Sequence, residues 1–413
     1  MSTAASQSAT PSPQSRVNLR RPEVMELVAA EVANHYRSAT VEKLRDRGGE
    51  LTIGNTTVHL AKEFGFCYGV ERAIDLAYAS RRVFPDRRIF LIGEIIHNPE
   101  VNRQLREMDI ASLPWRRLDA CYDELTQDDV VLVPAFGAPI SFMDKLEQRG
   151  CQVVDTTCGD VMKVWRRVRS YAKEGITSII HGKDNHEETR ATSSRALGEQ
   201  GDGQYLVVLT LSDADYVCDY IRGGGERAAF LDHFKHAHSP GFDPDLHLRR
   251  VGVANQTTML KSETEEIQHR LRDAMLARDG DDSGLQVFDT ICGATQDRQD
   301  ALFEMLREPL DMLLVIGGYN SSNTSHLVEI GELRLPTFFI RDASCIKSLE
   351  EIVHFDLQRS EEVTSAYSQI FLGAQAVTVG ITAGASCPNN LIEDTIIRVF
   401  ELRGIDRALI ASA

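Results

Sequence analysis

The chain has 413 residues, of which 42% are hydrophobic and 7% aromatic, so it has enough apolar material for buried cores. It carries 45 Lys and Arg residues against 61 Asp and Glu residues, a formal net charge of −16. This acidic balance argues against nucleic acid, because phosphate backbones are bound by surplus basic side chains. No stretch approaches about 18 uninterrupted apolar residues, so we expect no membrane span and predict a cytoplasmic protein.

Residues 1–57 are expected to form an N-terminal extension. The first ~15 residues are rich in Ser, Thr, Ala and Pro and lack an apolar signal-peptide core, which predicts disorder rather than a secretory signal. The remainder has a helical pattern, as in PEVMELVAAEVANHYRSATVEKLRDRG.

Three of the eight cysteines share one sequence setting. Cys67, Cys158 and Cys292 each follow a strand-like run, are followed by Gly within two residues, and stand at the start of a helical pattern. The other five lack this context: Cys121, Cys151, Cys218 and Cys345 are expected to be packing residues, and Cys387, in GASCPNN, stays ambiguous.

The strand and helix patterns repeat in three modules, at 58–157, 158–285 and 286–413. The segment 198–250 breaks the rhythm with Gly-rich and Pro-containing stretches, so we interpret it as an insertion in the second module. The third module includes a C-terminal closing segment. Alternating strands and helices predict an α/β fold of three small domains, each with a mostly parallel sheet. Ligands bind beyond the carboxyl ends of such strands, so the three domains are expected to surround a central site.

Three convergent thiolates could hold an iron–sulfur cluster with one iron free for substrate, or a zinc ion with one open position. Three buried structural cysteines are the alternative, because free cysteine is among the most buried residue types. The sequence context alone does not separate these possibilities.

Polar residues that follow other strands suit an anion. Hydroxyl groups and free backbone N–H groups at helix N-termini form ready-made phosphate sites, although helix capping alone would explain any single residue. The candidates are Thr257, Thr258, Ser321, Ser322, Asn323 and Ser386.

Two histidines also stand at predicted strand ends, His97 in EIIHNPEV and His186 in DNHEET. Imidazole there can donate to phosphate oxygens, although a lone histidine is more often structural. One carboxyl of the adjacent pair Glu187 and Glu188 could relay protons, and charge at a helix N-terminus is the alternative role.

Taken together, these motifs resemble the 4-hydroxy-3-methylbut-2-enyl diphosphate reductases, the IspH or LytB family, in the long form seen in cyanobacteria and plastids. The resemblance covers roughly residues 58–400. Its motifs, in chain order, are GFCYGVERA, EIIHNPEVN, VPAFGAP, DTTCGDVMKVW, IIHGKDNHEETRATSS, GVANQTTMLKSETEEI, DTICGATQDRQDA, GGYNSSNTSHL and GITAGASCPNN.

The resemblance implies an enzyme that reductively removes the C4 hydroxyl of 4-hydroxy-3-methylbut-2-enyl diphosphate. The products would be isopentenyl and dimethylallyl diphosphate, in the last step of the methylerythritol phosphate route to isoprenoids. It also implies three α/β domains around a central cavity, and a ferredoxin- or flavodoxin-type electron donor.

The same resemblance implies roles for individual residues. One oxygen-sensitive 4Fe–4S cluster would be held by Cys67, Cys158 and Cys292, with the fourth iron open. Glu188 would be the proton source, with Glu187 exposed, and Thr257 would lie near the substrate hydroxyl. Diphosphate binding would fall to His97, His186, Ser321, Ser322, Asn323 and Ser386.

The sequence departs from the family pattern at four positions. Phe136 stands where the short bacterial form has a histidine that contacts diphosphate. Gly159 replaces the proline that often follows the second cysteine. Cys387 and Asn389 replace a small and an acidic residue. These changes remove neither a cysteine ligand nor the glutamate.

Two rival functions remain at this stage. One is a redox-neutral 4Fe–4S hydro-lyase, which would need no electron donor. The other is a non-enzymatic zinc or cluster protein that senses redox state. A basic run on an otherwise acidic chain is a candidate docking surface for a donor, with a solvated helix face as the alternative; it comprises Lys163, Arg166, Arg167 and Arg169.

Overall fold

The computed structural model describes residues 18–288, 290–366 and 376–412. Within these ranges strands alternate with helices and most neighbouring strands run parallel, so the predicted α/β class is confirmed. The disorder predicted for the first ~15 residues falls outside the described residues. In the part of the chain described, no helix combines the length and apolar character needed to cross a bilayer.

The elements follow the chain in regular alternation after an N-terminal helical pair. The described strands are β1 (Glu50–Ile53), β2 (Thr56–Leu60), β3 (Ile89–Ile92), β4 (Ile110–Leu113), β5 (Val130–Val133), β6 (Gln152–Asp155), β7 (Thr177–His181), β8 (Tyr205–Val208), β9 (Val251–Asn255), β10 (Leu285–Gln286), β11 (Met312–Ile316), β12 (Thr337–Ile340), β13 (Glu351–Asp356), β14 (Glu361–Ala366) and β15 (Val377–Ala383). The described helices are α1 (Pro22–Tyr36), α2 (Ala39–Asp46), α3 (Tyr68–Val83), α4 (Pro99–Glu107), α5 (Leu118–Tyr122), α6 (Ile140–Arg149), α7 (Gly159–Lys173), α8 (Glu187–Ala196), α9 (Leu211–Gly223), α10 (Arg227–His233), α11 (Pro244–His247), α12 (Lys261–Asp279), α13 (Gly293–Met305), α14 (Ser322–Glu332), α15 (Asn389–Leu402) and α16 (Arg407–Ser412).

The central strands are assembled into three sheets. Sheet 1 has the order β4-β3-β5-β6, sheet 2 the order β10-β9-β7-β8, and sheet 3 the order β1-β2-β15-β11-β12. Pairing is parallel except between β1 and β2, and a separate antiparallel hairpin joins β13 to β14. Central strands such as β5, with all four residues buried, are continuous apolar runs, as expected where both faces of a parallel sheet are covered.

Each of the three candidate cysteines lies where the chain leaves one sheet for the next. β2 of sheet 3 leads through Cys67 into α3, which packs against sheet 1. β6 of sheet 1 leads through Cys158 into α7, which packs against sheet 2. β10 of sheet 2 leads through Cys292 into α13, which packs against sheet 3. The three crossings therefore bring the cysteines to the region between the sheets.

This arrangement differs from the predicted first module, 58–157, at its first strand. β2 pairs with β15 rather than with the strands of sheet 1, with Val58 opposite Val379 and Leu60 opposite Ile381. The reason is burial: Val58 and Leu60 belong to the same apolar core as the strands of sheet 3. β1 and β2 also form one hairpin across the predicted boundary at residue 57.

The segment 198–250, predicted as an insertion, contributes a strand to sheet 2. β8 pairs in parallel with β7, with Leu206 opposite Ile179. Leu206 is fully buried in a core shared with α9 and α10, through residues such as Val217 and Phe230. β8 is therefore the edge strand of sheet 2, and the chain just before it, 201–204, belongs to no helix or strand.

The N-terminal helices cover the loop that precedes Cys67. Tyr36 of α1 is buried; its hydroxyl accepts a hydrogen bond from Tyr78 of α3 at 3.0 Å, and its ring lies 5.6 Å from that of Phe66. The guanidinium of Arg45 in α2 lies 4.3 Å from the ring centre of Phe64. The extension is therefore part of the packing behind this loop.

Candidate active site

A cavity with about 680 Å³ of empty space lies where the carboxyl ends of strands from the three sheets meet. It brings together all of the predicted site residues, although they are spread over more than 300 positions of the chain. These residues are Cys67, His97, Cys158, His186, Glu188, Thr257, Cys292, Ser321, Ser322, Asn323 and Ser386.

The three cysteines occupy equivalent positions at helix starts. Cys67, Cys158 and Cys292 are the residues immediately before α3, α7 and α13, and each has an extended backbone conformation. Three helix N-termini therefore point toward the sulfurs, and the partial positive charge there favours thiolates.

Contacts around the sulfurs show that the three cysteines share one space. A Cβ at Gly69 would lie 2.6 Å from Cys158 Sγ and 3.9 Å from Cys67 Sγ, so only a residue without a side chain fits there. Cys292 Sγ lies 3.3 Å from Asp160 Oδ2, two residues after Cys158. Burial raises the pKa of the Cys158 thiol and raises that of Cys292 to about 12, so metal binding there must displace protons.

The other five cysteines lie outside the cavity lining. Cys387, ambiguous from the sequence, is fully buried in the apolar core of sheet 3, and burial raises its pKa far above the ordinary value. The others also lie in or against apolar cores, as predicted for packing residues: Cys121, Cys151, Cys218 and Cys345.

The two predicted histidines face each other across the cavity. Their Nε2 atoms are 3.1 Å apart. His186 Nδ1 accepts the backbone N–H of Glu188 at 3.1 Å, so the proton of the neutral ring is on Nε2. Burial, together with the charges of His97 and Lys183, holds the pKa of His186 well below its ordinary value, which favours this neutral form.

The orientation of His97 is set by residues that the sequence analysis did not single out. His97 Nδ1 lies 3.0 Å from Glu94 Oε2, and Asn320 donates to the same oxygen at 2.9 Å. Burial would raise the pKa of Glu94, but these two hydrogen bonds and the charge of His97 lower it overall, so the carboxyl is ionised. Asn320 stands one residue before Ser321 in the chain, a position that could have drawn attention to it.

Phe136, the position where the short form has a histidine, stacks on His97. The ring centroids are 4.3 Å apart with an interplanar angle of 18°. Phe136 also contacts the His186 ring edge-on at 5.9 Å. The aromatic side chain therefore fixes the two imidazoles instead of adding a polar contact.

The carboxylate of Glu188 is buried, and both of its oxygens accept hydrogen bonds from Thr257. Its Oε1 accepts the Thr257 backbone N–H at 2.6 Å and its Oε2 accepts the Thr257 hydroxyl at 3.0 Å. Burial raises the pKa of Glu188 to about 7, against the opposing effect of these hydrogen bonds. Thr257 also accepts the backbone N–H of Cys292 through its carbonyl at 3.2 Å, which links this pair to the cysteine site.

Glu187 was predicted to be exposed near the start of α8, and the structure corrects this. Its side chain is only 26% exposed, and its Oε2 lies 3.6 Å from His97 Nε2. The reason is the close approach of the loop that carries His97. One ligand atom from each of His97, His186 and Glu187 lies within 4.8 Å of the others, so this group could also hold a metal ion.

The remaining cavity wall consists of hydroxyl and amide groups. Ser321 caps α14 by accepting the Thr324 backbone N–H at 3.4 Å, and Ser322 accepts from Gln256 at 3.0 Å. Ser386 donates to the carbonyl of His97 at 3.0 Å. The amide nitrogen of Asn323 is buried without a hydrogen-bond partner among the described residues, which leaves an unused donor at the start of a helix.

Comparison with known proteins finds relatives that match most of the chain. A family model described as LytB protein matches residues 58–400. A 4-hydroxy-3-methylbut-2-enyl diphosphate reductase from Synechococcus sp. is 47% identical over 380 residues, 91% of this chain and 93% of that protein. The reductase from Gloeobacter violaceus is 48% identical over 378 residues, 90% of this chain and 88% of that protein.

Solved structures have the same fold. A structure of (E)-4-hydroxy-3-methyl-but-2-enyl diphosphate reductase, the terminal enzyme of the non-mevalonate pathway, matches 83% of this chain and 99% of its own, with a TM-score of 0.51 and 26% identity. The structure of the Plasmodium falciparum reductase covers 83% of this chain and 87% of its own, with a TM-score of 0.61 at 20% identity.

Proposed function

The chain belongs to the LytB protein family, and we propose that it is a 4-hydroxy-3-methylbut-2-enyl diphosphate reductase. It removes the C4 hydroxyl of its substrate to give isopentenyl and dimethylallyl diphosphate, the terminal step of the non-mevalonate pathway. An iron–sulfur cluster, the cofactor of this family, is held by Cys67, Cys158 and Cys292.

Membership of the LytB family favours an iron–sulfur cluster over a zinc ion, and the arrangement of the three cysteines agrees with this choice. Thiolates on one tetrahedral zinc would be about 3.8 Å apart, given Zn–S bonds of about 2.3 Å. Among the described residues, these three cysteines are not a group whose ligand atoms all lie within 4.8 Å of one another. A wider, multi-atom centre fits them, and the missing side chain at Gly69 leaves it room. We therefore propose one 4Fe–4S cluster with three cysteine ligands and one open iron.

When bound, such a cluster would supply electrons and a Lewis-acidic iron. The protein binds and orients the substrate and excludes water from the site. Cys67 and Cys158 are only partly buried, so the cluster is within reach of an external one-electron donor. The donor is a ferredoxin- or flavodoxin-type protein. A cytoplasmic location suits a chain whose cysteines are all unpaired thiols.

The substrate diphosphate is bound by the polar wall of the cavity. The α14 N-terminus offers the Ser321 and Ser322 hydroxyls and the free amide nitrogen of Asn323, all buried. The Nε2 atoms of His186 and His97 lie 3.1 Å apart, and the Nε2–H of neutral His186 is a donor for a phosphate oxygen there. Glu94 orients the His97 ring through its Nδ1 atom.

Glu188 is the proton source. Its raised pKa leaves a large fraction of the carboxyl protonated near neutral pH, which a general acid requires. Thr257 fixes both oxygens, so the proton is delivered from one defined position near the substrate hydroxyl.

The decisive experiment is anaerobic purification followed by an assay with the hydroxylated diphosphate, with and without reductant. The proposal predicts a brown protein with iron and sulfide, and formation of both products only with reductant. Product formed without reductant would indicate a hydro-lyase. A colourless zinc protein without turnover would indicate the sensor alternative.

A further inference from the structure

Arg298 is a buried cation whose role the proposed reaction does not explain. It lies on α13, six residues after Cys292, and is only 4% exposed. Among the described residues it forms no ion pair with a carboxylate. Burying an unpaired charge is costly, so such residues are retained where another group balances them.

The guanidinium joins the segments that carry two of the cysteines. One terminal nitrogen donates to the Ala294 carbonyl at 2.7 Å, in the first turn after Cys292. The other donates to the Gly65 carbonyl at 2.6 Å, two residues before Cys67. One side chain therefore ties the Cys67 loop to the helix that begins at Cys292.

The Gly65 end of this link has little freedom to move elsewhere. Gly65 has a φ of +72°, and a Cβ there would lie 2.7 Å from the Asn389 side chain. The loop is thus closely packed against the first residue of α15 on one side. Arg298 holds its carbonyl on the other.

The third nitrogen of the guanidinium is unused. Arg298 Nε is buried and has no hydrogen-bond partner among the described residues. Burial lowers the pKa of Arg298, while the nearby charges of Cys67, Glu63, Cys292 and Asp297 raise it. A negatively charged group held by Cys67 and Cys292 would therefore lie within electrostatic range of this cation.

We propose that Arg298 is a positioning residue that fixes Cys67 relative to Cys292 and balances the negative charge of the cluster they hold. The charge-balancing role rests on the proposed function, because it requires the cluster. The hydrogen-bonded link between the Cys67 loop and α13 does not depend on it. Arg298 is expected to make the cluster easier to reduce, because a buried positive charge favours the more negative, reduced state.

The first test is an anaerobic redox titration of the holoenzyme, followed by electron paramagnetic resonance. Arg298→Met removes the charge and the hydrogen bonds, so the midpoint potential should shift to more negative values. Arg298→Lys keeps the charge, so its potential should stay close to that of the unsubstituted protein. A suitable control is Arg195→Met, because Arg195 is 5% exposed and also donates to backbone carbonyls, those of Ala138 and Ala191, neither of which belongs to the Cys67 loop or to α13.

The second test uses the full chain without metal and measures hydrogen–deuterium exchange of peptides covering residues 62–69. Arg298→Met and Arg298→Lys should both exchange several-fold faster there, because neither reproduces the fork that spans two carbonyls. Arg195→Met should leave this segment unchanged.

The outcomes separate this proposal from the proposed function. An unchanged potential in Arg298→Met, or unchanged exchange in both variants, would overturn the role of Arg298. If Arg298→Met does not fold, Arg298→Lys decides: faster exchange at an unchanged potential supports the proposal, and unchanged exchange overturns it. If the unsubstituted protein is found to hold no iron–sulfur centre, the proposed cluster is refuted. The exchange experiment would still test whether Arg298 links the Cys67 loop to α13.

Discussion

Both carboxylate oxygens of Glu188 are bound by Thr257, one by its backbone N–H and one by its hydroxyl. The residue that binds the proposed proton source is therefore also the residue whose carbonyl accepts the backbone N–H of Cys292. In the proposed reaction, proton delivery and cluster binding would both depend on this one segment after β9.

Glu188→Gln should reduce turnover by roughly 10²–10⁴-fold, the contribution expected of a general acid, because the amide cannot supply the proton. Iron content and substrate affinity should change little, since glutamine keeps the size and can still accept from Thr257. Steady-state rates and iron analysis check this. The matched control is Glu187→Gln, which should retain most of the turnover; an inactive Glu187→Gln beside an active Glu188→Gln would reverse the assignment.

Turnover should fall as the pH rises above about 7 in the unsubstituted enzyme. Burial penalises the ionised form of Glu188 and raises its pKa to about 7, so the proton-donating form is lost above that pH. The rate with a small chemical reductant at saturating substrate should drop about tenfold per pH unit on this limb. In Glu188→Gln this fall in rate above pH 7 should be absent. If the fall persists, it must come from the titration of another group.

Gly69→Ala should prevent cluster assembly, because its Cβ would lie 2.6 Å from Cys158 Sγ. Gly159→Ala and Gly293→Ala are matched controls. Both glycines are exposed at helix starts directly after a proposed cysteine ligand, and a Cβ on either would meet nothing within 4 Å. Iron and sulfide per chain after anaerobic reconstitution measure the effect. Equal iron in Gly69→Ala and the controls would contradict the proposed position of the cluster.

Cys158→Ser should lose the cluster and the activity together. Cys387→Ser tests the opposite expectation, because Cys387 is fully buried in an apolar core and lies outside the cavity lining. That variant should keep its iron and lose only stability, through burial of a hydroxyl group. Full iron content in Cys158→Ser would end the assignment of this ligand.

The basic surface on α7 should steer an acidic electron donor. Arg166 and Arg169 are exposed, whereas Arg167 lies with its guanidinium 3.1 Å from the centre of the Phe288 ring, so Arg167 is left unchanged in this test. Arg166→Glu with Arg169→Glu should slow turnover with ferredoxin and weaken its salt dependence. Turnover with a small chemical reductant should not change. Arg334→Glu, at an exposed position after α14, is the control for a change of charge alone. An unchanged rate with ferredoxin in the double variant would exclude the α7 surface as the docking site of the donor.

The sequence alone predicted the α/β class, which the structure confirms, and it proposed the site residues from local patterns and from the family resemblance. A β-branched run followed by Cys and a helix-start pattern is visible within about 20 residues of chain, and it places Cys67, Cys158 and Cys292 at strand-to-helix junctions. The rule that ligands bind beyond the carboxyl ends of parallel strands then correctly anticipated a shared cavity.

Only the tertiary structure decided which strands become neighbours. β2 joins sheet 3 and β8 joins sheet 2 because pairing there buries their apolar residues, and the sequence of a strand does not identify its partner. The same limit explains why Glu94, Arg298 and the partly buried Glu187 were missed or misjudged. Glu94 binds Asn320, Arg298 binds Gly65, and Glu187 lies against His97. These partners are distant in the chain, and only the fold brings them within hydrogen-bonding or electrostatic range.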